Sequence, residues 1–112
     1  MSEDIIDRLR QPPLYYILDD LNEPPIPCDS VILFAHWWEP EHNRVLAWDR
    51  IGDDVFVSTI FTGMNLSPFG VSPMFETMIL GGRQDRFQVR CDTYAKALEQ
   101  HGAAMALAGG VR

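Results

Sequence analysis

The segment that most constrains this chain is residues 44–91, where apolar and polar residues alternate with a period of two and tight-turn residues interrupt them at short intervals. Side chains of a β-strand point alternately to opposite faces, so this period marks strands. Residues 44–51 and 55–63 read as two strands joined by Gly52, Asp53 and Asp54, a length and composition suited to a tight hairpin. In the second of them Val55, Val57, Thr59 and Phe61 form one set, and Phe56, Ser58, Ile60 and Thr62 the other. Both sets are partly apolar, which places that strand centrally. Residues 64–73 hold Pro68, Gly70 and Pro73 and form a long loop, the kind of segment that often carries function. Residues 74–80 and 86–91 then read as two more strands around Gly81 and Gly82.

Helical signals flank this core. Residues 2–10 form a short amphipathic helix, with Ser2 as cap and Ile5, Ile6 and Leu9 on one face; Pro12 and Pro13 end it. Residues 14–18 are a β-rich first strand, and residues 19–27, with three prolines, are irregular. Asp29 or Ser30 caps a helix over residues 31–39, because Phe34, Trp37 and Trp38 recur near the 3.6-residue period. Pro40 stops it, and residues 41–43 are a surface turn. Asp92 or Thr93 caps a closing helix whose inner stripe is Tyr94, Ala97, Leu98, His101, Met105 and Ala108, with Gly109 at its C′ position. The expected fold is α+β: a mostly antiparallel, four- to five-stranded meander with helices packed on one face. One domain spans residues 1–112, with residues 1–13 as an N-terminal helical arm.

Composition narrows the function. Apolar residues make up 46% of the 112, enough for a packed core. Apolar runs such as residues 31–35 are far short of the ~20 needed to span a bilayer. The acidic start lacks a secretory signal, so the expected location is the cytoplasm. Cys28 and Cys91 are too few for a disulfide scaffold and read as reduced thiols. A net charge of −7 argues against direct nucleic-acid binding, which uses a basic stripe to displace counterions. An acidic chain can instead occupy a basic groove that normally holds nucleic acid.

Several residues stand out as carriers of chemistry. His36, Glu39 and His42 are the densest group of ligand-type side chains, but their spacing is not that of a helical zinc site. His101 sits on an apolar stripe and reads as a hydrogen-bonded core histidine; a couple with Cys91 is fixed by nothing in the sequence. Glu76 falls by alternation with Met74, Met78 and Leu80, the apolar set, and needs a partner among Arg44, Arg50 and Arg90. Ser58 and Thr59 lie mid-strand, without the strained elbow of a serine nucleophile, and read as sheet packing. Adjacent Trp37 and Trp38 diverge around a helix, so one of them can stand exposed as an anchor for a protein partner.

Val57-Ser58-Thr59-Ile60-Phe61-Thr62-Gly63 and Met74-Phe75-Glu76-Thr77-Met78-Ile79 carry a resemblance. The chain resembles small proteins encoded by phages and prophages that share a VSTVFLG strand, a Gly/Pro-rich loop and an FETMVFGG strand. The Trp-rich helix end at residues 35–39 and the helix start at Cys91-Asp92-Thr93-Tyr94 extend the likeness over roughly residues 14–105. It departs at Asn65-Leu66, where those proteins often show Asp-His. The resemblance implies an accessory protein of the host-cell cytoplasm that acts by binding a host or phage protein, in its sharpest form an anti-CRISPR-like inhibitor of a defence complex that handles nucleic acid. No cofactor, metal or catalytic residue is expected on that reading. The expected binding surface is Trp37, Trp38, Glu39, Asn65, Phe69 and Glu76. The alternatives are a small metal-dependent hydrolase using His36, Glu39 and Glu76, and a virion or assembly component. The Ala/Met-rich face of the last helix permits a homodimer.

Overall fold

A computed structural model describes residues 14–20, 23–67 and 70–110. The expected helix over residues 2–10 lies outside them, as does Phe69.

The period-two segment forms one antiparallel sheet in strand order β3-β4-β5-β6: β3 (Val45–Ile51), β4 (Val55–Phe61), β5 (Phe75–Leu80) and β6 (Gln88–Cys91). The order in space follows the order in sequence, so this is a meander. In β4, Val55, Val57, Thr59 and Phe61 are buried and the residues between them are half-buried. In β5 the buried set is Phe75, Thr77 and Ile79. The turn before β6 closes with Arg86 in the left-handed region at φ 70°. Both Arg86 and Phe87 bond to Ile79, an extra residue of the kind that twists a hairpin.

The closing helix, α3 (Tyr94–Gly110), lies across the buried face and contacts all four strands. Thr93 caps it, its Oγ1 accepting from the Lys96 N–H at 3.2 Å. Ala97, Ala104 and Ala108 are buried in it. Small residues there let the helix axis approach the sheet closely. Two positions differ from expectation. Leu98 points outward, 44% exposed, and Ala104 takes its place inside. Gly109 does not terminate the helix, which runs through Gly110.

A second, two-stranded sheet pairs β1 (Tyr15–Ile17) with β2 (Ile26–Cys28), so residues 19–27 are not irregular throughout. β2 is an edge strand, where the missing N–H of Pro27 leaves no ladder bond unmade. α1 (Val31–Trp38) packs on this pair; Ser30 is its N-cap, its hydroxyl accepting from the Leu33 N–H. Glu41–Arg44 is one helical turn, α2, leading straight into β3. Gly63, at φ 66°, lets the chain pass where an added Cβ would come within 2.7 Å of Phe34 Cε1 and the Tyr16 carbonyl. The core is thus two adjoining clusters, one around Phe61, Phe75, Tyr16, Leu18 and Met74, the other around Val57, Ile79, Ile51 and Val55. No helix of the described residues is long and apolar enough to cross a membrane.

Candidate functional site

The residues expected to form one binding surface separate into three places. Trp37 belongs to the core: its Nε1 donates to the Leu18 carbonyl at 3.1 Å and its ring meets Phe61 edge-on at 5.6 Å. Trp38 is half-buried between Phe34 and the Arg44 guanidinium, which lies 5.1 Å above its ring. Glu39 is exposed at the end of α1. Asn65 is buried and organises the loop after β4, its Oδ1 accepting from the Ser67 and Ser72 N–H groups and its Nδ2 donating to the Gly70 carbonyl at 2.6 Å. Such an asparagine closes a loop on itself and is occupied by the backbone.

Glu76 alternates with Met78 and Leu80 as expected, but theirs is not the set that turns to α3. It shares the outer face of β5 with Met78 and Leu80, while Phe75, Thr77 and Ile79 turn to α3. Its carboxylate pairs with Arg90 on β6, Oε2 to Nη2 at 2.9 Å, and the two residues are direct neighbours in the ladder. Of the three arginines considered, Arg90 is the partner.

The polar residue that does face the core is Thr77, and it belongs to a network. Thr77 Oγ1 and Thr59 Oγ1 are 2.7 Å apart, Thr59 Oγ1 is 2.7 Å from His101 Nδ1, and His101 Nε2 is 2.7 Å from Asp49 Oδ2. The network joins β5, β4, α3 and β3. A carboxylate only accepts hydrogen bonds, so Nε2 carries a proton; in the neutral imidazole Nδ1 then accepts from Thr59, which in turn accepts from Thr77. An Asp-His-Thr order suggests nucleophilic catalysis, but Thr59 and Thr77 are wholly buried, and no substrate carbonyl reaches a hydroxyl sealed beneath a helix. The arrangement clamps α3 to the sheet. Both ring nitrogens of His101 are engaged there, so Cys91 has no imidazole partner in it; the Cys91 thiol donates weakly to the Thr93 carbonyl. Burial, with the Asp92 charge beside it, pushes that thiol up from its ordinary pKa, away from nucleophilic use.

His36 and His42 are exposed, on α1 and α2 respectively. Among the described residues no three His, Cys, Asp or Glu side chains gather as a metal site.

What the register assembles is an apolar face. On the side of the sheet away from α3, Val45 stands beside Ile60, Ile60 beside Glu76, and Glu76 beside Arg90. In the next row Trp48, Ser58, Met78 and Gln88 are neighbours, and in the last Arg50, Phe56 and Leu80. The Trp48 and Phe56 rings stack at 5.1 Å, and the Arg50 guanidinium lies 5.7 Å from the Phe56 ring. Trp48 is nevertheless 56% exposed. At ~4.8 Å between strands and ~3.4 Å per residue, this face covers roughly 300 Å². A second apolar surface lies at the start of α1, where Val31, Ile32 and Leu33 are 56–68% exposed.

The fold and this face define a small α+β protein with α3 packed on one side of its sheet and, on the other, exposed Trp48 and Leu80 beside half-buried Val45, Phe56, Ile60 and Met78. Comparison with protein-family models, curated proteins and solved structures finds no match for the chain.

Proposed function

We propose that this chain is a non-enzymatic accessory protein that holds another protein against the bare face of its sheet. One observation carries the reading: the register gathers Val45, Trp48, Phe56, Ile60, Met78 and Leu80 on a side that α3 does not cover. A face of that extent, with an aromatic pair at its centre and Arg50, Arg90 and Glu76 among its margins, has the composition of an interface centre with a polar rim. It is smaller than the ~800 Å² per partner of a stable complex, so the partner also reaches the rim. On the phage-protein resemblance the partner is a host or phage protein in the host cytoplasm, and the sharpest version is inhibition of a defence complex.

That version has two physical forms. A decoy that fills a nucleic-acid groove with acidic side chains binds through charge, and its affinity falls steeply with salt. Contact through the sheet face is apolar and nearly indifferent to salt. The test is binding of the purified partner, once captured from the host, at low and high ionic strength. The wild-type chain is compared with a Trp48→Ala/Phe56→Ser variant and an Ile32→Ser/Leu33→Ser variant. The sheet-face variant is expected to lose about 30-fold or more in affinity, the effect of one strong hot spot, while the α1 variant binds normally. A folded sheet-face variant that keeps its affinity removes the proposal.

A further inference from the structure

The negative charge of the chain is concentrated in one part of it. Residues 14–43 carry Asp19, Asp20, Glu23, Asp29, Glu39 and Glu41 and no Lys or Arg, whereas residues 44–112 balance seven acids with seven bases. Six of the seven units of net negative charge thus lie in the segment that forms β1, β2, α1 and the start of α2. All six acidic residues are exposed.

Within that segment, α1 is apolar on every side. Of its eight residues only His36 is polar. A helix of that composition is normally enclosed all round. Its inner side is satisfied: Phe34 is buried, its ring stacked on Tyr15 at 4.8 Å, and Trp37 and Trp38 are half-buried beside it. The outer side is not, since Val31, Ile32, Leu33 and Ala35 all stand exposed. Val31, Ala35 and Glu39 form one ridge along this side and Ile32 and His36 the next, and together they line a groove of about 320 Å³.

We propose that this groove docks a basic amphipathic helix of another protein, with its apolar stripe laid between the two ridges and its Lys and Arg residues turned to the surrounding carboxylates. The shape calls for a helix. A ridge of side chains on one helix packs into the groove between the i, i+4 rows of another, and the small Ala35 in the middle lets the two axes approach. The charge calls for bases: Asp29 stands just before α1, Glu39 lines the groove, and the segment supplies no cation of its own. A second copy of this chain would set acid against acid, and an anionic lipid surface is repelled in the same way. The groove is separate from the sheet face, which belongs to the electrically balanced residues 44–112, so the two surfaces are tested independently.

The probe is a fluorescent peptide of about 18 residues, roughly five helical turns, with leucines at the helical period and lysines elsewhere. It is titrated into the full chain at low and high salt, and amide shifts map the contact. The expected Kd is about 10 μM or tighter at low salt, with shifts centred on Val31, Ile32, Ala35 and Glu39. A peptide with glutamate in place of lysine should bind about 100-fold more weakly, and a scrambled one of the same composition about tenfold. Val31→Ser/Ile32→Ser should cost about tenfold, and Asp29→Asn/Glu39→Gln about fivefold at low salt and little at high salt. Trp48→Ala/Phe56→Ser should change nothing. If the serine variant does not fold, Ala35→Lys, which puts a cation in the groove, should cost about tenfold in its place.

A scrambled peptide that binds as tightly as the patterned one overturns the proposal, as do shifts that map elsewhere. So does a folded Val31→Ser/Ile32→Ser or Ala35→Lys that binds normally. The absence of saturable binding, the result if another part of this chain covers the face, overturns it too. The remaining occupants are read directly: a mass above 12.8 kDa, or uptake by phosphatidylcholine–phosphatidylglycerol vesicles, that either variant abolishes assigns the face to a second copy or to lipid and overturns the proposal.

Discussion

Replacing Thr59 by valine tests the buried network with almost no change of shape. The hydroxyl disappears and a methyl takes its place, so no cavity opens. Two groups then lose their partner: the Nδ1 lone pair of His101 and the Thr77 hydroxyl, each 2.7 Å from Thr59 Oγ1. Both lie in dry surroundings, Thr77 wholly buried and His101 only 7% exposed. Each orphaned buried group costs about 1–3 kcal/mol, and the extra buried methyl returns about 1, so Thr59→Val should cost about 3 kcal/mol. For a chain of this size that is a fall of roughly 12 °C in Tm. Thr77→Val leaves the Thr59–His101 bond intact and should cost only about 1 kcal/mol. The double variant is the decisive one. It orphans only Nδ1, so it should be more stable than Thr59→Val alone by about 1–2 kcal/mol. Urea unfolding followed by tryptophan fluorescence gives all three values, and imidazole nitrogen spectra should show the proton on Nε2. A double variant that costs the sum of the two single ones, or a Thr59→Val cost under about 0.5 kcal/mol, refutes the directional chain of hydrogen bonds.

Gly63→Ala puts a Cβ 2.7 Å from Phe34 Cε1 and the Tyr16 carbonyl at φ 66°, and should cost about 2 kcal/mol or more in the same unfolding assay; a neutral result shows that β1 and α1 are not tied down there. Because burial, then Asp92, raises the Cys91 pKa, iodoacetamide should alkylate it more slowly near pH 8 than it does the unfolded chain. The sign for stability follows. The folded state favours the thiol, so this contribution is fully present below the unfolded thiol's pKa and is lost as pH rises above it.

Much of the fold was legible because backbone hydrogen bonding imposes a period that side chains must respect. The alternation at Val55–Phe61, the Gly52-Asp53-Asp54 turn and the Ser30 and Thr93 caps each act locally, and each appears where local rules put it. The misses come from contacts between distant residues. β2 exists only because β1 lies beside it, with Tyr16 opposite Pro27, and three residues with a central proline carry no strand signal of their own. Gly109 looks like a helix end by residue type, yet α3 continues through it to Gly110.

That the set holding Glu76 is not the one facing α3 has a more general cause. A period of two divides a strand into two sets without saying which set faces the core. In β5 the sets are Glu, Met and Leu against Phe, Thr and Ile, and the threonine leaves the second no drier by residue type than the first. The missing information was in the neighbours. Thr59 is a lone hydroxyl in the apolar set of β4, and His101 a lone imidazole on the apolar stripe of the helix above. Each is costly to bury alone and inexpensive to bury together, since every donor then meets an acceptor. Three isolated polar residues on three elements that pack together are therefore evidence for one another. Taken jointly they orient the sheet: Thr77 faces α3, Glu76 faces out beside Arg90, and the apolar face centred on Trp48 and Phe56 follows from the register.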